Sequence, residues 1–332
     1  MTFLQPDDHM IVMNLPSFTF SRHGRTNSMT DDELKRLRDV GVRTVMLYDY
    51  WSKREERDYY IDHMIAQARS VGLRIILSAG NQTPVGFPLS WYSTDANGFL
   101  GKDWMGHPTL SIWNMKARAA ILNYFQGVIN SYGGDDLTVI NASVDSGECV
   151  SPRNHACLYD PAALSSHAAE VGGRPDPTRG HTLDWLKRSV CQHYLAIDEL
   201  LMTQHGEIWN ALHRVLIRSN SANGNVAQPY IFDAEQKKWP DAERYLLQYT
   251  YWNHSKNGHK DILAGWIEKY GLKMIVEADH CSGLPKTAPL SIAAGFRGQI
   301  VGPVHPCAQT LRLEDEHVEV IAAAIKLWGG AD

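Results

Sequence analysis

The sequence predicts a (β/α)8 TIM barrel, a single domain over residues 1–332, on three observations. First, eight β-rich apolar runs alternate with stretches whose apolar residues recur every three or four positions. Second, the links from helix to strand are short and carry a glycine: Val40-Gly-Val42, Val71-Gly-Leu73, Tyr270-Gly-Leu272 and Phe296-Arg-Gly-Gln299. Third, the links from strand to helix are often long, above all the βα loops after strands 3 and 4, from Ala79 to Asn114 and from Cys149 to His181. Short links at one end and long ones at the other let a barrel build a site on a rigid frame. No Gly-x-Gly-x-x-Gly follows the first strand, which argues against a doubly wound dinucleotide-binding sheet.

The units follow in order. Strand one is Met10–Ser17, and its helix opens at Thr30-Asp-Asp-Glu33, where threonine and glutamate can each satisfy a free backbone N–H of the first turn. Strand two is Val42–Tyr48, followed by a helix with Ile61, Met64, Ile65 and Ala68 on one face. Strand three is Leu73–Ser78, and its helix runs near Lys116–Ser131. Strand four starts at Leu137 and its segment ends at Glu148. Its helix carries Leu183, Leu186, Val190, Tyr194, Ile197 and Leu201. Strand five is placed at Arg214–Ser219, because Gly206 leaves the end of the preceding helix open. Strand six is Tyr245–Trp252, with a helix near His259–Tyr270. Strand seven is Leu272–Glu277 and strand eight Gln299–Val304. Val318, Ile321, Ile325 and Trp328 stripe the last helix.

Composition narrows the function. Hydrophobic residues at 44% and charged residues at 21% suit a protein with a substantial core. A formal charge of −5 gives no reason to expect nucleic acid or an anionic membrane as partner. No apolar run approaches the roughly 20 residues of a membrane helix, and the polar, acidic N-terminus is unlike a signal peptide. Five cysteines, an odd number without tight spacing, do not form a disulfide framework, so a cytoplasmic setting is expected. The oligomeric state leaves no mark in the sequence.

Two glutamates carry the chemistry. Glu148 ends Leu137-Thr-Val-Ile-Asn-Ala-Ser-Val-Asp-Ser-Gly-Glu148, and Glu277 ends Leu272-Lys-Met-Ile-Val-Glu277. Both are expected at the C-terminal end of an inner strand, the active-site face of such a barrel. A pair of carboxyl groups there can protonate a departing glycosidic oxygen and attack the anomeric carbon, or activate water. Glu148 stands at the entrance to a long loop whose shielding would raise its pKa, which suits an acid. Glu277 has Met274, Ile275 and Val276 behind it, and a nucleophile gains from that rigidity. Asp145 and Asp279 are close competitors.

On Glu148 and Glu277 the chain resembles the large clan of (β/α)8 glycoside hydrolases whose acid/base ends strand four and whose nucleophile ends strand seven. That resemblance implies retaining hydrolysis of a β-linked glycoside without a cofactor. Gly147 stands where the clan usually has asparagine. The stretch Gly147-Glu148-Cys-Val-Ser-Pro152 is similar to the Gly-Glu-x-x-x-Pro that carries the acid in β-amylases, which are inverting barrels. Retention and inversion therefore both stay open, as does a non-catalytic carbohydrate-binding barrel.

A sugar site also needs flat apolar faces and planar hydrogen-bonding groups. Candidates are Asn14 on strand one, Tyr48 and Trp51 after strand two, and Trp91, Trp113 and Asn114 in the third loop. Tyr251, Trp252 and Asn253 after strand six, with His280 and His305 after strands seven and eight, complete the set. The loop also holds Tyr92, Trp104 and His107. Cys149, Cys281 and Cys307 with the two histidines could bind zinc, but no Cys-x-x-Cys or His-x-His occurs, so the site is read without metal.

Overall fold

The structure, a computed structural model, describes residues 2–14, 29–48, 54–80, 86–102, 108–141, 158–212, 227–248, 259–278, 281–302 and 313–329. Eight parallel strands pair in chain order and close where β1 meets β8. They are β1 (Met10–Met13), β2 (Thr44–Tyr48), β3 (Arg74–Ala79), β4 (Leu137–Asn141), β5 (Glu207–Leu212), β6 (Glu243–Gln248), β7 (Leu272–Ala278) and β8 (Gly298–Val301). The chain is a (β/α)8 barrel.

The described helices are α1 (Asp31–Asp39), α2 (Arg54–Ser70), α3 (Met115–Tyr132), α4 (Pro161–Glu170), α5 (Gly180–His205), α6 (Ala227–Lys238), α7 (His259–Tyr270), α8 (Leu284–Ala293) and α9 (Asp315–Gly329). The predicted faces are the buried ones: Ile61, Met64, Ile65 and Ala68 of α2 face the core, as do Ile321 and Trp328 of α9. The capping box forms as expected. Glu33 N donates to Thr30 Oγ1 at 3.3 Å, and Thr30 N donates to Glu33 Oε2 at 2.8 Å. Thr30→Ala is expected to cost about 1 kcal/mol in urea or thermal denaturation, with Thr30→Ser near wild type.

Strand alternation sorts the apolar residues into two layers. Ile11, Met46, Ile76, Ile140, Trp209, Tyr245, Ile275 and Ile300 fill the barrel. Val12, Val45, Ile75, Val139, Leu246 and Met274 turn outward into the core beneath the helices. Phe3 and Leu4 close the N-terminal end of the barrel. There Phe3 N donates to Glu207 Oε1 at 3.0 Å, and Arg74 Nη1 donates to Phe3 O at 3.2 Å. Ion pairs Arg74–Asp8 and Lys273–Glu243 line the same end.

Strand five differs from the expectation of Arg214–Ser219. Gly206, at φ 73°, ends α5 in the left-handed region, and β5 starts at the next residue. The register Glu207↔Glu243 starts β5 level with β6, which itself begins at Glu243 rather than Tyr245. Residues 214–219 lie outside the described residues. Strand β4 covers Leu137–Asn141, shorter than the run to Glu148. Helix α4 was not expected, although Asp160-Pro161 is a start signal: Asp160 Oδ1 accepts from Ala162 N and Ala163 N, both at 3.1 Å.

Candidate active site

Glu277 sits near the C-terminal end of β7 on the same face as Ile275, which belongs to the barrel interior. Its side chain therefore faces the lumen, and the residue is 8% exposed. Met274, Val276 and Ala278 point the other way into the helix-covered core, so the strand beneath the carboxyl is held from both sides. Its register partner on β8 is Ile300.

Tyr48 enters the lumen at the same end, from β2. It packs against the interior cluster, and its hydroxyl donates to Met13 Sδ at 3.5 Å. Its register partner on β3 is Ser78, a buried hydroxyl sharing the face of Ile76. The lumen at this end thus presents Glu277, Tyr48, Ser78 and Met13. Ser78 and Met13 were not singled out in the sequence, although strand alternation from Ile76 and Ile11 places both inside.

Asn14 follows β1 directly. Its N donates to Met46 O at 2.9 Å and its Oδ1 accepts from Met29 N at 3.0 Å, which pins the approach to α1 against the barrel. Its Nδ2 is buried and has no hydrogen-bond partner among the described residues. By strand alternation Asn14 follows the outward face of Val12 rather than the lumen face of Met13.

The loop after β3 is a folded excursion. Bridges Tyr92↔Leu110, Thr94↔Leu100 and Lys102↔Pro108 make it a short antiparallel ribbon. The other candidates here have structural partners. Trp113 stacks on Trp185 of α5 at 4.8 Å between ring centroids. Asn114 caps α3, its Oδ1 accepting from Lys116 N at 3.0 Å and its Nδ2 donating to Ser90 O at 2.9 Å. Trp91 stacks on Phe87 at 5.3 Å. The structure thus brings Glu277 and Tyr48 to one end of the lumen and employs Trp113 and Asn114 in anchoring the ribbon.

Glu148, Trp51, Tyr251, Trp252, Asn253, His280 and His305 lie outside the described residues. Of the rim thiols, Cys281 is described. It is buried on a single 3₁₀ turn and donates to Gly302 O at 3.7 Å. Burial pushes its pKa up to about 12, so it carries a proton and is a poor nucleophile or ligand. Among the described residues, no group of three or more His, Cys, Asp or Glu could hold a metal ion. No described helix is long and apolar enough to cross a membrane.

No family model and no curated protein matches the chain. Solved structures do. The GH36 α-galactosidase AgaA from Geobacillus stearothermophilus, solved with 1-deoxygalactonojirimycin, aligns with a TM-score of 0.53 at 11% identity, over 97% of this chain and 42% of that one. The maltogenic α-amylase AmyB from Thermotoga neapolitana gives 0.50 at 11% identity, over 96% of this chain and 76% of that one. A sugar phosphate isomerase/epimerase from Parabacteroides distasonis gives 0.46 at 11% identity, over 96% of each chain. The chain therefore spans less than half of the α-galactosidase. At these identities the likeness establishes the barrel, and the barrel alone does not fix an activity.

Proposed function

We propose that the chain is a glycoside hydrolase acting without a cofactor, with Glu277 as nucleophile and Glu148 as acid/base. The observation that carries this reading is the Glu277 carboxyl, aimed into the lumen near the C-terminal end of β7. Barrels of this class do their chemistry at that end. Two glycoside hydrolases among the structural neighbours support the same reaction class.

In the retaining form, Glu277 attacks the anomeric carbon as the glycosidic C–O bond breaks, and Glu148 gives its proton to the departing oxygen. Glu148, now a carboxylate, takes a proton from water. That water attacks the anomeric carbon and breaks the ester to Glu277, returning both groups to their starting states. The expectation of a β-linked substrate comes from the resemblance at Glu148 and Glu277. Tyr48 and Ser78 are the described groups best placed at this end of the lumen to hold sugar hydroxyls.

The test is turnover of aryl α- and β-glycosides by wild type, Glu148→Ala and Glu277→Ala, with azide as rescuing nucleophile. For a retaining β-glycosidase, azide should yield a β-azide from the Glu148 variant and an α-azide from the Glu277 variant. A product of inverted anomeric configuration from wild type would favour the β-amylase-like mechanism instead. Full activity in Glu277→Ala would remove it from the site. Sugar binding without turnover by wild type, unchanged in Glu148→Gln, would indicate a carbohydrate-binding barrel.

A further inference from the structure

Outside the lumen, behind β5, two carboxyl groups are packed against one another. Asp198 projects from α5 and Glu235 from α6, and both are almost wholly buried. Asn210, on the outward face of β5, donates through its single Nδ2 to Asp198 Oδ1 at 3.1 Å and to Glu235 Oε1 at 3.3 Å. One amide thus joins a strand and two helices. The carboxyl groups are also within hydrogen-bonding reach of each other, an arrangement that needs a proton between them.

Two cations pull the carboxyls down, Lys238 on Asp198 and Arg244 on Glu235, but burial outweighs both. On α6, Lys238 pairs with Glu199 of α5 at 3.0 Å, on the surface. On β6, Arg244 donates through Nη2 to the Trp239 carbonyl. From α7, Lys269 reaches Asp233 on the outer side of α6 at 3.6 Å. On α5, the buried Cys191 thiol is pushed up to about 11 by burial and then by the two carboxyls, so it is neutral. Doubly ionised, Asp198 and Glu235 would be two buried like charges with one amide between them, an arrangement of high cost.

We infer that Asp198 and Glu235 form a proton-dependent clasp: it holds α6 against α5 and β5 while the pair retains a proton, and it loosens α6 when the pair ionises fully. Burial raises both carboxyls, Asp198 to about 7 and Glu235 well above the usual range, with Asp198 adding to the rise at Glu235. In the unfolded chain both titrate near ~4. The unfolded state therefore sheds protons that the native state keeps. The clasp's contribution is complete in acid and falls as pH rises from about 4 through the native values. This is the reverse of a salt-bridged carboxylate, which loses its contribution in acid.

The clasp does not depend on the glycosidase reading, and its test reads structure rather than turnover. Melting temperature and hydrogen–deuterium exchange are followed from pH 5 to 9 in wild type, Glu235→Gln and Asp198→Asn, with exchange corrected for its intrinsic rise with pH. Glu235→Gln keeps the shape and a donor but cannot ionise. Wild type should lose roughly 5 °C or more across the range, with added exchange concentrated in residues 227–238. Glu235→Gln should show a distinctly flatter melting profile, as should Asp198→Asn. Parallel profiles in wild type and a folded variant would overturn the clasp. Should neither variant fold, wild type still decides: pH-driven exchange confined to α6 supports it, and exchange rising evenly over the barrel overturns it.

Discussion

Glu277→Gln is expected to lower kcat by ~10³-fold or more on any glycoside that the wild-type protein cleaves, with the melting temperature shifted by only a few degrees. Glutamine has the same shape, so the packing of Met274 and Val276 outside the barrel and Ile275 inside it is preserved. What changes is chemistry, since an amide cannot supply a carboxylate to attack carbon or to activate water. A role confined to catalysis predicts a large fall in kcat beside a small change in KM. Steady-state kinetics on the best substrate, paired with a thermal melt, checks both. A variant that melts like wild type and turns over at a comparable rate would show that the carboxylate has no part in the chemistry.

The second large effect is structural. Trp209 occupies the barrel interior, stacked on Tyr245 at 4.1 Å with an interplanar angle of 4° and meeting Phe3 edge-on at 5.9 Å. Its Nε1 donates to Glu207 Oε2 at 2.8 Å, while Glu207 Oε1 accepts from Phe3 N. Trp209→Ala removes the stack, leaves a cavity and strips one donor from a buried carboxyl. A loss of about 3–5 kcal/mol follows, which corresponds to roughly 4–7 °C in melting temperature for a chain of this length. Trp209→Phe keeps an aromatic face and loses the N–H, so its loss should be about 1–2 kcal/mol. Urea denaturation of the two variants separates stacking from hydrogen bonding. Equal losses would mean that the N–H bond, rather than the ring, carries the effect.

The sequence made most strands readable for a simple reason: Val42–Tyr48, Leu73–Ser78 and Leu272–Glu277 are buried on both faces and so read as continuous apolar runs. Strand β5 breaks that pattern. Its inward Glu207 is used by the Phe3 amide, 204 positions away in sequence, and its outward Asn210 by Asp198 and Glu235. Polar residues on both faces erase the apolar run, and their partners are too distant to anticipate. The uninterrupted apolar Val215–Ile217 within Arg214–Ser219 therefore read as the strand.

The site shows the same division. The lumen-facing position of Glu277 was legible because alternation, a local property, fixes where a strand-end side chain points. The stacking of Trp113 on Trp185 and the capping of α3 by Asn114 were not legible, because the partners of an indole or an amide leave no mark in the local sequence. Asp198 lies on α5 directly beside Ile197 of its apolar stripe, where a carboxylate would ordinarily be excluded. That misplaced acid was the one local sign of the pair behind β5.

The pairing of β1 with β8, Met10 against Gln299, sets the order in which the molecule can be completed during synthesis. The first strand leaves the ribosome long before the residues it must pair with exist. Until then β1 has β2 on one side and an unmatched backbone edge on the other. The Phe3 segment likewise has no seat until Glu207 and Trp209 have been made. Such distant pairings are slow to form, since chain entropy is surrendered before the contacts repay it. A nascent chain of this protein should therefore expose an open sheet edge for most of its translation, the interval in which it is most open to aggregation and to chaperone capture.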